Sequence, residues 1–101
     1  MADNLKGIPF SNDDEGKTYP EIAKDLIYDR AVAGGVREVH PTFSIDEIYV
    51  VWFAYVLGYW KALCSTSLPD GRYYEVTFNR EKRVAFVDTY VKVRNDEVSI
   101  P

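Results

Sequence analysis

From Tyr59 onward the chain alternates, with Ala62, Cys64 and Thr66 on one parity and Lys61, Leu63, Ser65 and Ser67 on the other. The pattern resumes after residue 71, with Tyr74, Val76 and Phe78 set against Tyr73, Glu75, Thr77 and Asn79. A period of two marks strands with one buried face. Between the runs lies Pro69-Asp70-Gly71, in which Pro presets φ, Asp bonds its own turn backbone and Gly takes a positive φ. A three-residue loop there puts Leu68 opposite Arg72. Thr66 then meets Tyr74, Cys64 meets Val76 and Ala62 meets Phe78 on the apolar face. On the polar face Ser67 meets Tyr73, Ser65 meets Glu75, Leu63 meets Thr77 and Lys61 meets Asn79.

A second turn falls within Asn79 to Arg83, a run too polar for a core. A loop with an even number of residues sets Ala85, Val87, Thr89, Val91 and Val93 beside Val76 and Phe78. An odd loop would bury Asp88 and Lys92, at a cost that rejects it. The outer face then gains Phe86, Asp88 and Tyr90, and a four-residue loop stands Glu75 beside Asp88. Like charges opposed across strands repel, so a cation is expected nearby, and Lys61 is the candidate.

Upstream the period changes. Ile22, Ala23, Leu26, Ile27 and Ala31 recur at helical spacing behind Thr18-Tyr19-Pro20-Glu21, which has the form of a capping box with Pro20 in the first turn. Gly34-Gly35 ends the helix. Its apolar stripe is expected on Cys64, Val76, Phe78 and Val87. The polar side carries Glu21, Asp25 and Asp29, and a solvated face interrupted by Lys24 and Arg30 is preferred to an acidic docking ridge.

Residues 47–57 carry both signals. Ser44-Ile45-Asp46-Glu47 has capping-box spacing, whereas Ile48 to Val56 is dense in β-branched and aromatic residues and leads to a tight turn at Gly58-Tyr59. The strand is the preferred reading, and its apolar character on both faces predicts that its outer side is also covered. The expected fold class is therefore α+β: a four-stranded antiparallel β-meander with one amphipathic α-helix packed on one face. Residues 1–17 are expected to be a flexible arm, with Ile8, Pro9 and Phe10 as contacts to the body, and 18–101 a single domain. The last strand is expected to reach Val93, followed by a polar tail with Val98 and Ile100 as anchors.

A chain of 101 residues supports one domain, and 47% hydrophobic residues exclude wholesale disorder. Net charge −4 argues against binding nucleic acid through its phosphates. The single cysteine, Cys64, excludes an internal disulfide and reads as a buried, inert thiol suited to a reducing compartment. The only histidine, His40, has no neighbouring cluster that would make a metal site or a catalytic triad. No secretory signal opens the chain, and the charge-free run 48–60 is short of the roughly 17–25 residues a membrane helix needs. A cytoplasmic location with no membrane contact is expected. No glycine-rich phosphate loop, metal cluster or nucleophile motif appears, so no cofactor, metal or catalytic residue is expected, and an enzyme is disfavoured.

The stretch from Tyr49 to Asn95 resembles a family of short, uncharacterised proteins encoded by bacteriophages and prophages. The likeness is carried by Val50-Val51-Trp52, by Lys61-Ala62-Leu63 with Ser65-Thr66, by Asp70-Gly71 followed by Tyr73-Tyr74-Glu75 with Thr77 and Asn79, and by Asp88, Tyr90, Lys92 and Asn95. The resemblance implies phage origin, an α+β fold and work inside a bacterial host. It supplies no reaction, and it does not extend to the arm or to the aromatic segment from Trp52 to Trp60.

Lys61, Ser65, Tyr73, Glu75, Thr77, Asn79, Asp88 and Tyr90 all fall on the uncovered face and form the candidate binding site. Packing does not require a lysine, two carboxylates and two tyrosines to converge there. The preferred function is a binding or inhibitor module that docks on an unidentified host or defence protein through this face. Alternatives are a small-molecule or nucleotide binder, an enzyme using Glu75 and Asp88 as a coupled pair, or a homodimer formed through the outer face or an edge strand. For the charged residues a salt-bridged cluster of Lys61, Glu75 and Asp88 that only satisfies charge is the competing reading. A flat exposed sheet would favour protein docking; a concave pocket closed by the arm would favour a small ligand.

Overall fold

In the computed structural model, which describes residues 16–101, a helix α1 (Tyr19–Ala33) lies across a four-stranded sheet. Ile8, Pro9 and Phe10, and the arm reading as a whole up to residue 15, lie outside the described residues. Helix α1 starts where its capping box demands. Thr18 Oγ1 accepts the Glu21 N–H at 3.2 Å, and Glu21 Oε1 accepts the Thr18 N–H at 2.7 Å. At the other end the Gly34 N–H donates to the Arg30 carbonyl at 3.0 Å, and Gly35 turns the chain at φ +92°, a conformation open to glycine. Tyr19, Ala23, Ile27 and Ala31 form the buried stripe, flanked by the half-buried Ile22 and Leu26.

After a short helix α2 (Val36–Val39) the chain reaches Ser44. The capping box expected there is present, with Ser44 Oγ accepting the Asp46 N–H and Glu47 Oε2 accepting the Ser44 N–H, but it caps only a 3-10 turn, Ile45–Glu47. Strand β1 (Ile48–Val56) follows at once. Glu47 ends the turn by accepting from Ser67, at its carbonyl (3.1 Å) and its carboxylate (2.8 Å), which ties it to the sheet. Strands β2 (Tyr59–Thr66), β3 (Arg72–Asn79) and β4 (Val84–Val91) complete an antiparallel meander in the order β1-β2-β3-β4.

The turn from β1 to β2 is Leu57-Gly58, with φ +52° and +87°, both left-handed as the tightest hairpin loop requires. Val51 is the extra residue of a β-bulge between Val50 and Trp52. The bulge resets parity, so that Ile48, Val50, Phe53 and Tyr55 pair with inward residues of β2. Trp60 anchors the core, stacked on Tyr19 at 5.6 Å and on Phe78 at 5.7 Å. Ala62, Cys64 and Val76 are fully buried beside it, with Phe78 and Val87 half-buried at the margin.

One register differs from expectation. The β2–β3 hairpin is shifted by two residues: Ala62 meets Val76, Leu63 meets Glu75 and Ser65 meets Tyr73. The wider loop is held by side chains, with Thr66 Oγ1 accepting the Leu68 N–H, Asp70 Oδ1 accepting the Arg72 N–H and Ser65 Oγ donating to the Arg72 carbonyl. Ser67, drawn to Glu47, is lost to the ladder. A shift of two leaves every side chain on its predicted face. The β3–β4 hairpin has the four-residue loop, with Asn79 opposite Val84 and Glu75 opposite Asp88. Strand β4 stops at Val91 rather than Val93, although the Lys92 N–H still donates to the Gly71 carbonyl at 2.7 Å. Val98 and Ile100 are 74% and 87% exposed and anchor nothing.

Candidate functional site

All eight predicted site residues face away from α1. The pairings arrange the outer face in rows: Tyr49, Ser65, Tyr73 and Tyr90; then Trp52, Leu63, Glu75 and Asp88; then Ala54, Lys61, Thr77 and Phe86; at the end of the sheet Val56 pairs with Tyr59 and Asn79 with Val84. The expectation that the outer side of β1 is covered fails. Trp52 is 41% exposed, Phe86 51% and Tyr90 49%, and Tyr49, Val56, Tyr59 and Val84 are exposed with them. The apolar run of β1 has two causes instead: the bulge at Val51, which breaks simple alternation, and an outer face that is itself apolar.

The centre of this face is charged. Glu75 and Asp88 stand opposite each other on neighbouring strands, and Lys61 Nζ lies 3.7 Å from Glu75 Oε2. The Tyr90 hydroxyl donates to Glu75 Oε1 at 3.3 Å. Glu75 thus has two partners, whereas Asp88 has none among the described residues. The field is negative here, and it raises the Tyr90 hydroxyl above its ordinary pKa, through the Glu75 charge first and then through burial and Asp88.

Two of the eight do local work. Ser65 is 6% exposed, lies under Tyr49 and Tyr73 and spends its hydroxyl on the Arg72 carbonyl. Asn79 Oδ1 accepts the Lys82 N–H and closes the last turn. The side chains available to a partner are Lys61, Tyr73, Glu75, Thr77, Asp88 and Tyr90, joined by Trp52, Tyr59 and Phe86. Of these three, Trp52 is hidden from sequence reasoning by the cover expected over β1, and Tyr59 by its reading as part of the Gly58-Tyr59 turn; the signal was the aromatic density of Trp52 to Trp60 itself.

The face is open across the middle. A notch of about 310 Å³ indents one end, where Tyr49 and Tyr73 wall Ser65 and Arg72 and Lys92 form the rim. Elsewhere, Lys17 pairs with Asp25 and Glu21 is engaged in its cap, so the acidic side of α1 is not a continuous ridge. Cys64 is fully buried, and burial pushes its thiol up to about 11. Among the described residues no three His, Cys, Asp or Glu side chains gather in a group that would hold a metal ion, and no helix is long and apolar enough to cross a membrane.

Fold and site together define a two-layer α+β protein whose helix covers one face of an antiparallel meander and leaves the other, aromatic face bare. Over residues 20–100 the chain matches the Family of unknown function (DUF6275), and it belongs to that family. The match reaches well beyond the Tyr49 to Asn95 stretch, taking in α1 and the tail. No curated protein and no solved structure matches the chain.

Proposed function

We propose that this protein is a non-enzymatic binding module that docks its outer sheet face on a partner protein and occludes the surface it covers. The observation that carries the reading is a whole sheet face lined with exposed Tyr49, Trp52, Phe86 and Tyr90 around an unpaired Asp88. Scattered exposed apolar residues are ordinary, but a contiguous patch with a polar centre is the form of an interaction surface. Four strands about 4.8 Å apart and eight residues long at about 3.3 Å each give roughly 500 Å² in plan. That falls in the small class of specific interfaces and suits transient docking.

The charges select the partner. Lys61 answers Glu75 and leaves Asp88 unpaired, so a Lys or Arg of the partner seated beside Asp88 would complete the cluster, with Tyr73, Tyr90 and Phe86 offering ring faces to a cation. A second copy of the chain suits the face less well, because a two-fold axis through the centre would bring two carboxylate pairs together. Phage origin, which the sequence resemblance implies, makes the partner a bacterial or defence protein met in the host cytoplasm.

The test is affinity capture from host lysate with wild type beside Asp88→Lys, Phe86→Ala and, on the helix side, Asp29→Lys. The proposal requires one protein that is retained by wild type and Asp29→Lys and lost from both outer-face variants. Capture indifferent to all three substitutions, or no capture by folded wild type, would overturn it.

A further inference from the structure

On the opposite side of the sheet the two layers do not close. The last turn of α1, the α2 segment and the first residues of β3 leave a groove of about 370 Å³, the size of a small-ligand site, at the open end of the sandwich. Its lining runs against the sign of the molecule. In a chain of net charge −4, Arg30, Arg72 and His40 converge here, and the single carboxylate present, Asp70, is already committed. Asp70 Oδ1 accepts the Arg72 N–H at 3.1 Å, and its Oδ2 lies 3.6 Å from Arg72 Nε. That contact uses the inner edge of the guanidinium and leaves its two terminal amino groups without partners among the described residues. Arg30 has no ion pair there either.

Tyr74 supplies the independent observation. It is 4% exposed and lines the groove, yet its hydroxyl makes no hydrogen bond among the described residues. Burial, helped by the Asp70 charge, raises its pKa, so it stays a protonated donor at neutral pH. The ring is packed away while the hydroxyl itself still reaches the solvent of the groove, which leaves it a free donor to a molecule that enters there. Thr89, directly opposite Tyr74 on β4, brings a second hydroxyl to the same wall, while Ala31 and Val36 make the other side apolar. Two guanidinium forks, an imidazole and two hydroxyls beside an apolar wall form a donor-rich half-shell.

The geometry points to this groove as a binding site for a small organic oxyanion, a phosphate monoester or a carboxylate, whose anionic group meets Arg30, Arg72 and the Tyr74 hydroxyl while its body lies on Ala31 and Val36. Guanidinium forks suit both anions, which offer paired oxygens to two parallel N–H bonds. The site lies on the helix side of the sheet and shares with the outer-face notch only Arg72, which stands at the edge between them.

Amide chemical shifts are followed while inorganic phosphate, ribose 5-phosphate, citrate or neutral ribose is added to the whole chain, up to about 10 mM so that millimolar affinity is seen. Ribose 5-phosphate or citrate is expected to give saturable shifts at Gly35, Tyr74 and Thr89, and ribose none. A response to ribose 5-phosphate alone assigns a phosphate monoester, and a response to citrate alone a carboxylate. Arg72→Ala and Arg30→Gln are each expected to weaken binding about ten-fold or more, as loss of a charge-assisted bond does. Both positions are exposed, so the variants keep the fold, and an unchanged thermal midpoint checks this. Tyr74→Phe should weaken binding several-fold. Absence of saturable shifts with every anion, or an affinity that survives the Arg30→Gln, Arg72→Ala double variant, overturns the proposal.

Discussion

Asp88 faces Glu75 across the β3–β4 ladder with no partner of its own, so exchanging it for asparagine removes a repulsion while keeping the shape of the side chain. Directly paired residues stand about 5 Å apart, and two unit charges at that distance in water repel by about 0.8 kcal/mol. Lys61, 3.7 Å from Glu75, already offsets part of this, and solvent around the exposed Asp88 screens more. A net gain of about 0.5 kcal/mol is expected for Asp88→Asn, or about 2–4 °C in Tm for a domain of this size. Urea unfolding at low ionic strength and again in about 1 M salt, where the screening length falls to about 3 Å, separates this cause from others, because an electrostatic gain fades with salt. Glu75→Gln is the control: it relieves the same repulsion but forfeits the Lys61 contact and weakens the Tyr90 hydrogen bond, so it should gain less or lose. An Asp88→Asn protein that is less stable than wild type, or whose gain ignores salt, would refute the reasoning. Partner affinity should fall in the same variant, because function would then be maintaining a charge arrangement that stability disfavours.

Two further outcomes follow from local geometry. Leu57 holds φ +52° while 78% exposed, so Leu57→Asn should stabilise the hairpin by about 1 kcal/mol in urea unfolding, since asparagine tolerates the left-handed region and little packing is lost; a destabilised variant would mean that the leucine packs. The Thr18 backbone N–H, and then the Thr18 hydroxyl, hold the Glu21 carboxyl below its ordinary pKa of 4.5. A folded pKa below the unfolded one adds stability that is complete above the unfolded value and is lost as pH falls through the folded one. The difference between wild type and Glu21→Gln should therefore be present at neutral pH and shrink under acid, and a difference constant with pH would contradict the cap.

Much of the architecture was legible because it rests on short-range rules. Period-two alternation from Lys61 to Val91 and the helical stripe from Ile22 to Ala31 are each local, and a register error of two residues does no damage when side chains repeat every two. The outward direction of Glu75 and Asp88 could be read for the same reason. The β2–β3 register could not, because the loop is widened by Ser67 bonding to Glu47, twenty positions earlier in the chain.

What the sequence alone determined is which residues lie on which side: charge and hydrophobicity assign faces, since burying Asp88 or Lys92 would be prohibitive. What only the tertiary structure decided is what covers each face. Local pattern treats an apolar outer residue of β1 as buried, whereas one helix spans a single side of the sheet, so Tyr49, Trp52 and Val56 meet solvent. The groove at Tyr74 was equally hidden, because it exists only where α1 ends short of β3 and β4 and brings Arg30 to Arg72 from the far half of the chain. Faces follow from each residue's preference for water or oil; exposure follows from where the second layer stops.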